Sequence, residues 1–135
     1  MRSARQSGPD APGERIRVKR IYHAPCVSDG KRILVDRLWP RGMAKDRARL
    51  FQWCREIAPS DELRHWFHGH PDQWQAFTTR YETELAAHDD LVRELAEHAR
   101  EDVVTLLYAS KNEAHNNAIV LRNYLRQWLE REGQT

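Results

Sequence analysis

An α/β fold is expected: a single compact domain with a small, mainly parallel sheet flanked by helices. Three features of the sequence predict it. Val103-Val104-Thr105-Leu106-Leu107-Tyr108 is the clearest strand in the chain, rich in β-branched and aliphatic residues. Ile33-Leu34-Val35 is a second short apolar run of β-formers. Between them and after them lie stretches whose apolar residues recur at helical spacing. Strands separated by helices favour parallel pairing in one sheet.

The chain has 135 residues, room for one domain and one moderate core. Hydrophobic residues make up 40% and charged residues 31%, a globular rather than a disordered balance. Residues 1–14 hold Gly8, Pro9, Pro12 and Gly13 and read as a flexible tail. Residues 15–131 form the domain and 132–135 a short C-terminal tail. Met1 to Gly13 lacks the apolar centre of a signal peptide, and no apolar stretch approaches a bilayer span, so the expectation is a cytoplasmic protein with no membrane partner. Cys26 and Cys54 match neither a CxxC nor a zinc spacing and read as free thiols. The net charge is +2, with Arg2, Arg5, Arg15, Arg17, Lys19 and Arg20 crowded near the front. That distribution allows a nucleic-acid partner without requiring one.

In order along the chain, Ile16 to Tyr22 alternates at first and reads as strand one. His23 to Lys31 contains Pro25 and Ser28-Asp29-Gly30 and is a loop. Strand two runs from Arg32 to about Leu38. Its connection to strand one is short for a parallel crossover, so local grounds allow a hairpin. Lys45 to Leu50 offers one helical turn, and Phe51 to Ile57 reads as a strand or a helix. Ser60 is a good N-cap, with Leu63, Trp66 and Phe67 forming an apolar stripe that Gly69 ends. Pro71 suits the first turn of the next helix, on which Trp74, Phe77, Tyr81 and Leu85 face the core. Asp89 or Asp90 caps a helix carrying Leu91, Leu95 and Ala99. The final helix is expected from about Glu113 to Glu130.

Chemistry concentrates in two stretches. Asp36-Arg37-Leu38-Trp39-Pro40-Arg41-Gly42 ends a buried strand. Pro40 keeps Trp39 extended, and Gly42 permits positive φ, so two guanidinium groups are held on stiff backbone. Desolvating them is costly without partners or a ligand. The second stretch is Tyr108 to Asn116, a strand running into a helix, with Ser110 and Glu113 or else Asn112 as the cap. In parallel sheets ligands sit outside the carboxyl ends of strands. Parallel neighbours would therefore bring Arg37, Arg41, Ser110, Lys111 and Asn116 to one rim suited to a small anionic ligand, a phosphate or carboxylate. On that rim His115 and Asp36 are the candidate acid-base pair, with Asp36 also suited to bracing an arginine. No Walker or Rossmann glycine signature is present, and no cofactor is implied. His65, His68 and His70 are broken by Gly69 and Pro71 and read as surface histidines rather than metal ligands. Cys26 follows strand one and is a conceivable nucleophile on the same rim.

The Asp36-to-Gly42 motif, Ala58-Pro59-Ser60 with Leu63-Arg64, Trp66-Phe67, the Trp74/Phe77/Tyr81 spacing and Leu106 to Lys111 followed by His115-Asn116 closely resemble the YeaO-like branch of the domain of unknown function family 488. The resemblance spans about Ile16 to Leu129. It implies a compact α/β domain without an assigned activity, and it favours strand two as parallel despite the short connection. The wider family often carries a Cys-His-Arg run near the start of the last helix. This chain has Ala114-His115-Asn116 there, which puts any mechanism needing that cysteine or arginine in doubt.

Overall fold

The structure is a computed structural model that describes residues 11–133. One sheet of four parallel strands has the order β1-β4-β2-β3. The strands are β1 (Ile16–Arg20), β2 (Lys31–Leu34), β3 (Gln52–Trp53) and β4 (Val104–Tyr108). β4 is buried along its whole length and pairs on both sides, Ile16 with Val104 against β1 and Ile33 with Leu106 against β2. This central position explains the short link between β1 and β2. The link, residues 21–30, runs back from the level of Tyr108 to that of Val104 while it passes β4, a diagonal of roughly 16 Å that ten residues cover without a crossover helix.

The two faces of the sheet are covered differently. Five helices follow the strands: α1 (Lys45–Ala48), α2 (Asp61–Gly69), α3 (Trp74–Ala86), α4 (Asp89–Glu101) and α5 (Asn117–Gly133). On one face Ile16, Ile33, Val104 and Leu106 pack with Tyr81 and Leu85 of α3, Leu95 and Ala99 of α4, and Leu121 and Leu125 of α5. On the other face Ile21, Leu34 and Leu107 are covered by Ala48, Trp39, Met43 and Leu50, the irregular segment between β2 and β3. That second face also buries charge. Arg32 donates to Asp29 at 2.7 Å and, from Nε and Nη2, to the Ala48 carbonyl, while Lys19 closes on Asp29 at 3.1 Å. Burial opposes ionisation of Asp29, but the Cys26 N–H, Lys19 and Arg32 outweigh it and hold the carboxyl below its ordinary range.

Several elements depart from expectation at their ends. β2 stops at Leu34 rather than near Leu38, because the chain leaves the sheet once Asp36 turns to bond elsewhere. Between Phe51 and Ile57 only Gln52–Trp53 is strand, and Arg55–Ile57 is a 3-10 turn. Pro71 precedes α3, whose N-cap is Gln73, and α4 is entered through His88 with Asp89 and Asp90 in its first turn. Ser60 caps α2 through Leu63 N–H as its sequence context suggests, and Glu84 of α3 holds the cap in turn. The expected flexible tail over 1–14 falls mostly outside the described residues. Its last part, Pro12–Arg15, is a 3-10 turn tied to α5 by Arg126 donating to the Gly13 carbonyl. α5 continues to Gly133, into the expected C-terminal tail.

Gly30 and Gly42 both adopt positive φ, 62° and 75°. At Gly30 a Cβ would collide with the Val103 carbonyl, whereas at Gly42 it would meet open space. Gly42→Ala should therefore cost only the left-handed backbone penalty, about 1–2 kcal/mol. Gly30→Ala should cost more, about 3 kcal/mol or above, since the β4 entry must shift as well. Urea unfolding of the two variants measures this difference, and equal losses would contradict the close approach at Gly30.

Candidate functional site

β2 and β4 are neighbours, yet the chain leaves their carboxyl ends toward opposite faces. After β2 it crosses the face covered by Trp39 and Ala48, and after β4 it enters α5 on the other face. A divergence of this kind opens a crevice at the strand ends. A cleft of about 470 Å³ lies there, walled by residues 36–41 after β2, Ala58 and Pro59 after β3, and Ala109, Ser110 and 115–117 after β4. Tyr22, Arg64, Phe67 and His68 complete the rim, and Phe77 lies behind it.

Asp36 ties these walls together. One carboxylate oxygen accepts from Ala109 N–H at 2.9 Å, and the other accepts from the Asn117 side-chain amide at 3.2 Å. The Asp36 carbonyl accepts from the Trp53 indole at 2.7 Å, and Asn117 also donates to the Val35 carbonyl. The ends of β2, β3 and β4 and the start of α5 thus converge on one residue. Burial pushes the Asp36 carboxyl above its ordinary range. The Ala109 N–H, the Asn117 amide and the charge of Arg64 pull the other way without cancelling it. Neither carboxylate bond involves an arginine or His115.

The arginines divide by role. Arg37 donates to the Pro59 and Ala58 carbonyls at 3.2 and 3.3 Å, with Asp61 3.9 Å away, so it braces the entry to α2. Its brace is backbone rather than the carboxylate of Asp36. Arg41 lines the cleft with its side chain exposed, and its carbonyl accepts from the Tyr22 hydroxyl at 2.7 Å. Arg64 is the guanidinium that the sequence reading passed over. Its Nε is buried without a hydrogen-bond partner, and its nearest carboxylate, Asp61, stands at 3.5 Å. The available signal was its place four residues after the Ser60 cap, one turn into α2.

After β4 the structure revises the helix start. α5 begins at Asn117, not Glu113, and its cap is Asn116, whose side-chain oxygen accepts from Ile119 N–H at 3.1 Å. Before it, Asn112 accepts from the N–H groups of Ala114 and His115, and Ser110 accepts from Asn112 N–H, so two side-chain turns take up the residues expected as first helical turn. Asn116 is consequently buried as a cap, and Lys111 is exposed outside the cleft wall. His115 lines the cleft and stacks on Trp74, ring centroids 4.4 Å apart and 14° from parallel. Cys26 lies away from the cleft, exposed, with Sγ 3.6 Å from the Lys19 ammonium. Of the three clustered histidines, His68 reaches the cleft, while His70 stacks on Trp66.

Fold and rim together define a small α/β protein with a crevice at the carboxyl ends of its central strands. The chain belongs to the DUF488 family: residues 15–135 match the group described as the inactive DUF488-N3 subclade. It is 47% identical over 111 residues to the uncharacterised protein YeaO of Escherichia coli, covering 82% of this chain and 96% of that one. Uncharacterised proteins of Mycobacterium tuberculosis and Mycobacterium bovis are 42% identical over 112 residues, covering 82% of this chain and 93% of theirs. No solved structure matches the chain. Among the described residues no helix is long and apolar enough to cross a membrane.

The Asp36 junction generates two expectations. Asp36→Ala strands the Ala109 N–H and the Asn117 amide and should cost about 2–4 kcal/mol of stability. A carboxyl raised by folding binds its proton more tightly folded than unfolded. Its contribution to stability is therefore greatest below the unfolded value near 3.8 and is lost as pH rises through the raised folded value. Unfolding of the parent and of Asp36→Asn across about pH 4 to 7 should show the parent losing stability relative to the asparagine variant as pH rises. A pH-independent difference would contradict the raised carboxyl.

Proposed function

We propose that the protein binds a small phosphate- or carboxylate-bearing ligand in this cleft without chemically transforming it. The observation that carries the reading is Arg64: a guanidinium at the cleft wall with a buried, unpartnered Nε. That Nε has almost no accessible surface, so an anion in the cleft would be met by the terminal nitrogens of the guanidinium, where Nη2 has only long contacts, 3.5 Å to Asp61 and 3.4 Å to His65. Arg37, Arg41 and Arg64 line the cleft against one carboxylate, Asp36, each of whose oxygens accepts one hydrogen bond from the fold. The excess of positive charge favours an anion and steers it to the rim.

Two further facts support binding over turnover. The matched subclade is described as inactive. Ala114 and Asn116 stand where the wider family often carries a cysteine and an arginine, and in this chain Asn116 is used as a helix cap. His115 and Asp36 remain the pair that would carry acid-base chemistry, since both line the cleft, but the bonds holding Asp36 suit a structural junction better. Nucleic-acid binding through the front strand is the weaker alternative. Arg17 donates to the Ser28 carbonyl, Lys19 pairs with Asp29 and Arg20 donates to the Ser110 carbonyl, so these cations are engaged within the fold.

Titration calorimetry with inorganic phosphate and sulfate tests the reading. Binding should saturate, and Arg64→Gln should weaken it about tenfold or more, the loss of one charge-assisted contact. The same variant should melt no lower than the parent, because the guanidinium lacks strong internal partners. An absence of phosphate and sulfate binding in the parent, or binding indifferent to Arg64, overturns it.

A further inference from the structure

We infer that the ligand carries a flat ring beside its anionic group, a molecule of nucleoside monophosphate size, with the ring against the aromatic wall of the cleft and the anion on Arg64 and Arg41. This rests on the anion reading above and narrows it. The first reason is size. A space of about 470 Å³ falls within the range of roughly 300–1,000 Å³ that encloses whole small molecules, and a lone oxyanion would leave most of it empty.

The second reason is the aromatic part of the cleft lining, which begins at Phe67, one turn beyond Arg64 on α2. Phe67 stacks on Phe77 at 4.3 Å and 22°, Phe77 meets Trp74 at 5.7 Å and 24°, and Trp74 stacks on His115 at 4.4 Å and 14°. Three members of this chain of rings, Phe67, Phe77 and His115, line the cleft. His115 is its exposed end: one face lies on Trp74, and the imidazole belongs to the cleft surface. Fixed rings of this kind present a π-face that any flat ring can stack on, at little conformational cost.

The third reason is what the rim leaves exposed. Four large hydrophobic side chains are exposed among the described residues, and two of them, Tyr22 at 39% and Leu38 at 56%, border this cleft. Apolar surface beside guanidinium groups fits a ligand that has both an apolar and an anionic part. Asp36 supplies a further feature. Each of its oxygens accepts one hydrogen bond, and a carboxylate has about four acceptor positions, so a ring N–H or amino group could be bonded there as well.

Calorimetry on the full chain with inorganic phosphate, ribose 5-phosphate, adenosine, adenosine monophosphate and uridine monophosphate tests this. At least one monophosphate should bind tenfold or more tightly than both phosphate and ribose 5-phosphate. His115→Ala should bring that ratio down toward one, and His115→Phe, which keeps a stacking face, should preserve it. Melting curves of both variants establish that they fold. Phosphate and ribose 5-phosphate binding as tightly as either monophosphate, with dependence on Arg64, would overturn the ring while leaving the anion site standing. A monophosphate advantage that survives His115→Ala would overturn the assignment of the ring to this wall. No binding of any anion, or adenosine binding as tightly as its monophosphate whatever stands at position 64, would remove the anion reading and this inference with it.

Discussion

The carboxylate of Asp36 is the junction on which the geometry of the rim depends. It stands just beyond β2 and accepts from the first amide after β4 and from the first residue of α5, while its carbonyl takes the indole N–H of β3. It reinforces the last backbone bonds between the strand ends, Val35 N–H to the Leu107 carbonyl and Cys54 N–H to the Leu34 carbonyl, where β2 and β3 are short and β3 pairs only with β2. Burial makes its charge costly, and the fixed N–H donors are what make a carboxylate tolerable there. The same bonds that secure the strand ends set the separation of the walls, so stability and cleft geometry are one property.

The sheet is also asymmetric in a way that serves the rim. Helices α3, α4 and α5 build an apolar core on one face. The other face carries a thinner cover stiffened by the Lys19–Asp29–Arg32 group, in which two cations share one buried carboxylate and Arg32 also donates to the Ala48 carbonyl. That cover holds the segment containing Trp39 to Met43 in place, where the Trp39 indole donates to the Met43 carbonyl at 2.7 Å and closes the turn around Gly42. Arg41 is thereby carried on a braced loop, a placement that favours ordered presentation of its charge.

Much of this architecture is legible from residue patterns. Ile33–Leu34 and Val104–Leu107 are strands because long aliphatic runs bury both faces, and they pair in parallel as expected. The convergence of 36–41 with 109–116 follows from that pairing alone. What pattern could not supply is which donor meets which acceptor. The Ser110–Glu113 spacing suits a capping box, yet Asn112 takes the Ala114 and His115 amides and Asn116 takes the Ile119 amide, and the helix begins at Asn117, four residues later than expected. Arg37 sits nearer the buried strand than Arg41, but only the course of the loop shows that it braces on the Ala58 and Pro59 carbonyls while Arg41 stays exposed. Arg64 was illegible as a cleft residue because its α2 neighbours carry an apolar stripe that hides which way the charged face turns.

The central claim is that Asp36 joins the carboxyl ends of β2 and β4 into one rim, and the Ala109 amide reports on it most directly. Ala109 lies beyond the last residue of β4, and its N–H donates to the Asp36 carboxylate. Native-state hydrogen exchange should show this amide protected to the level of the β4 amides, with protection falling to loop values in Asp36→Ala. Exchange at Ala109 as fast as at Lys111 and Glu113 in the parent protein would contradict the junction and the geometry of the cleft built on it.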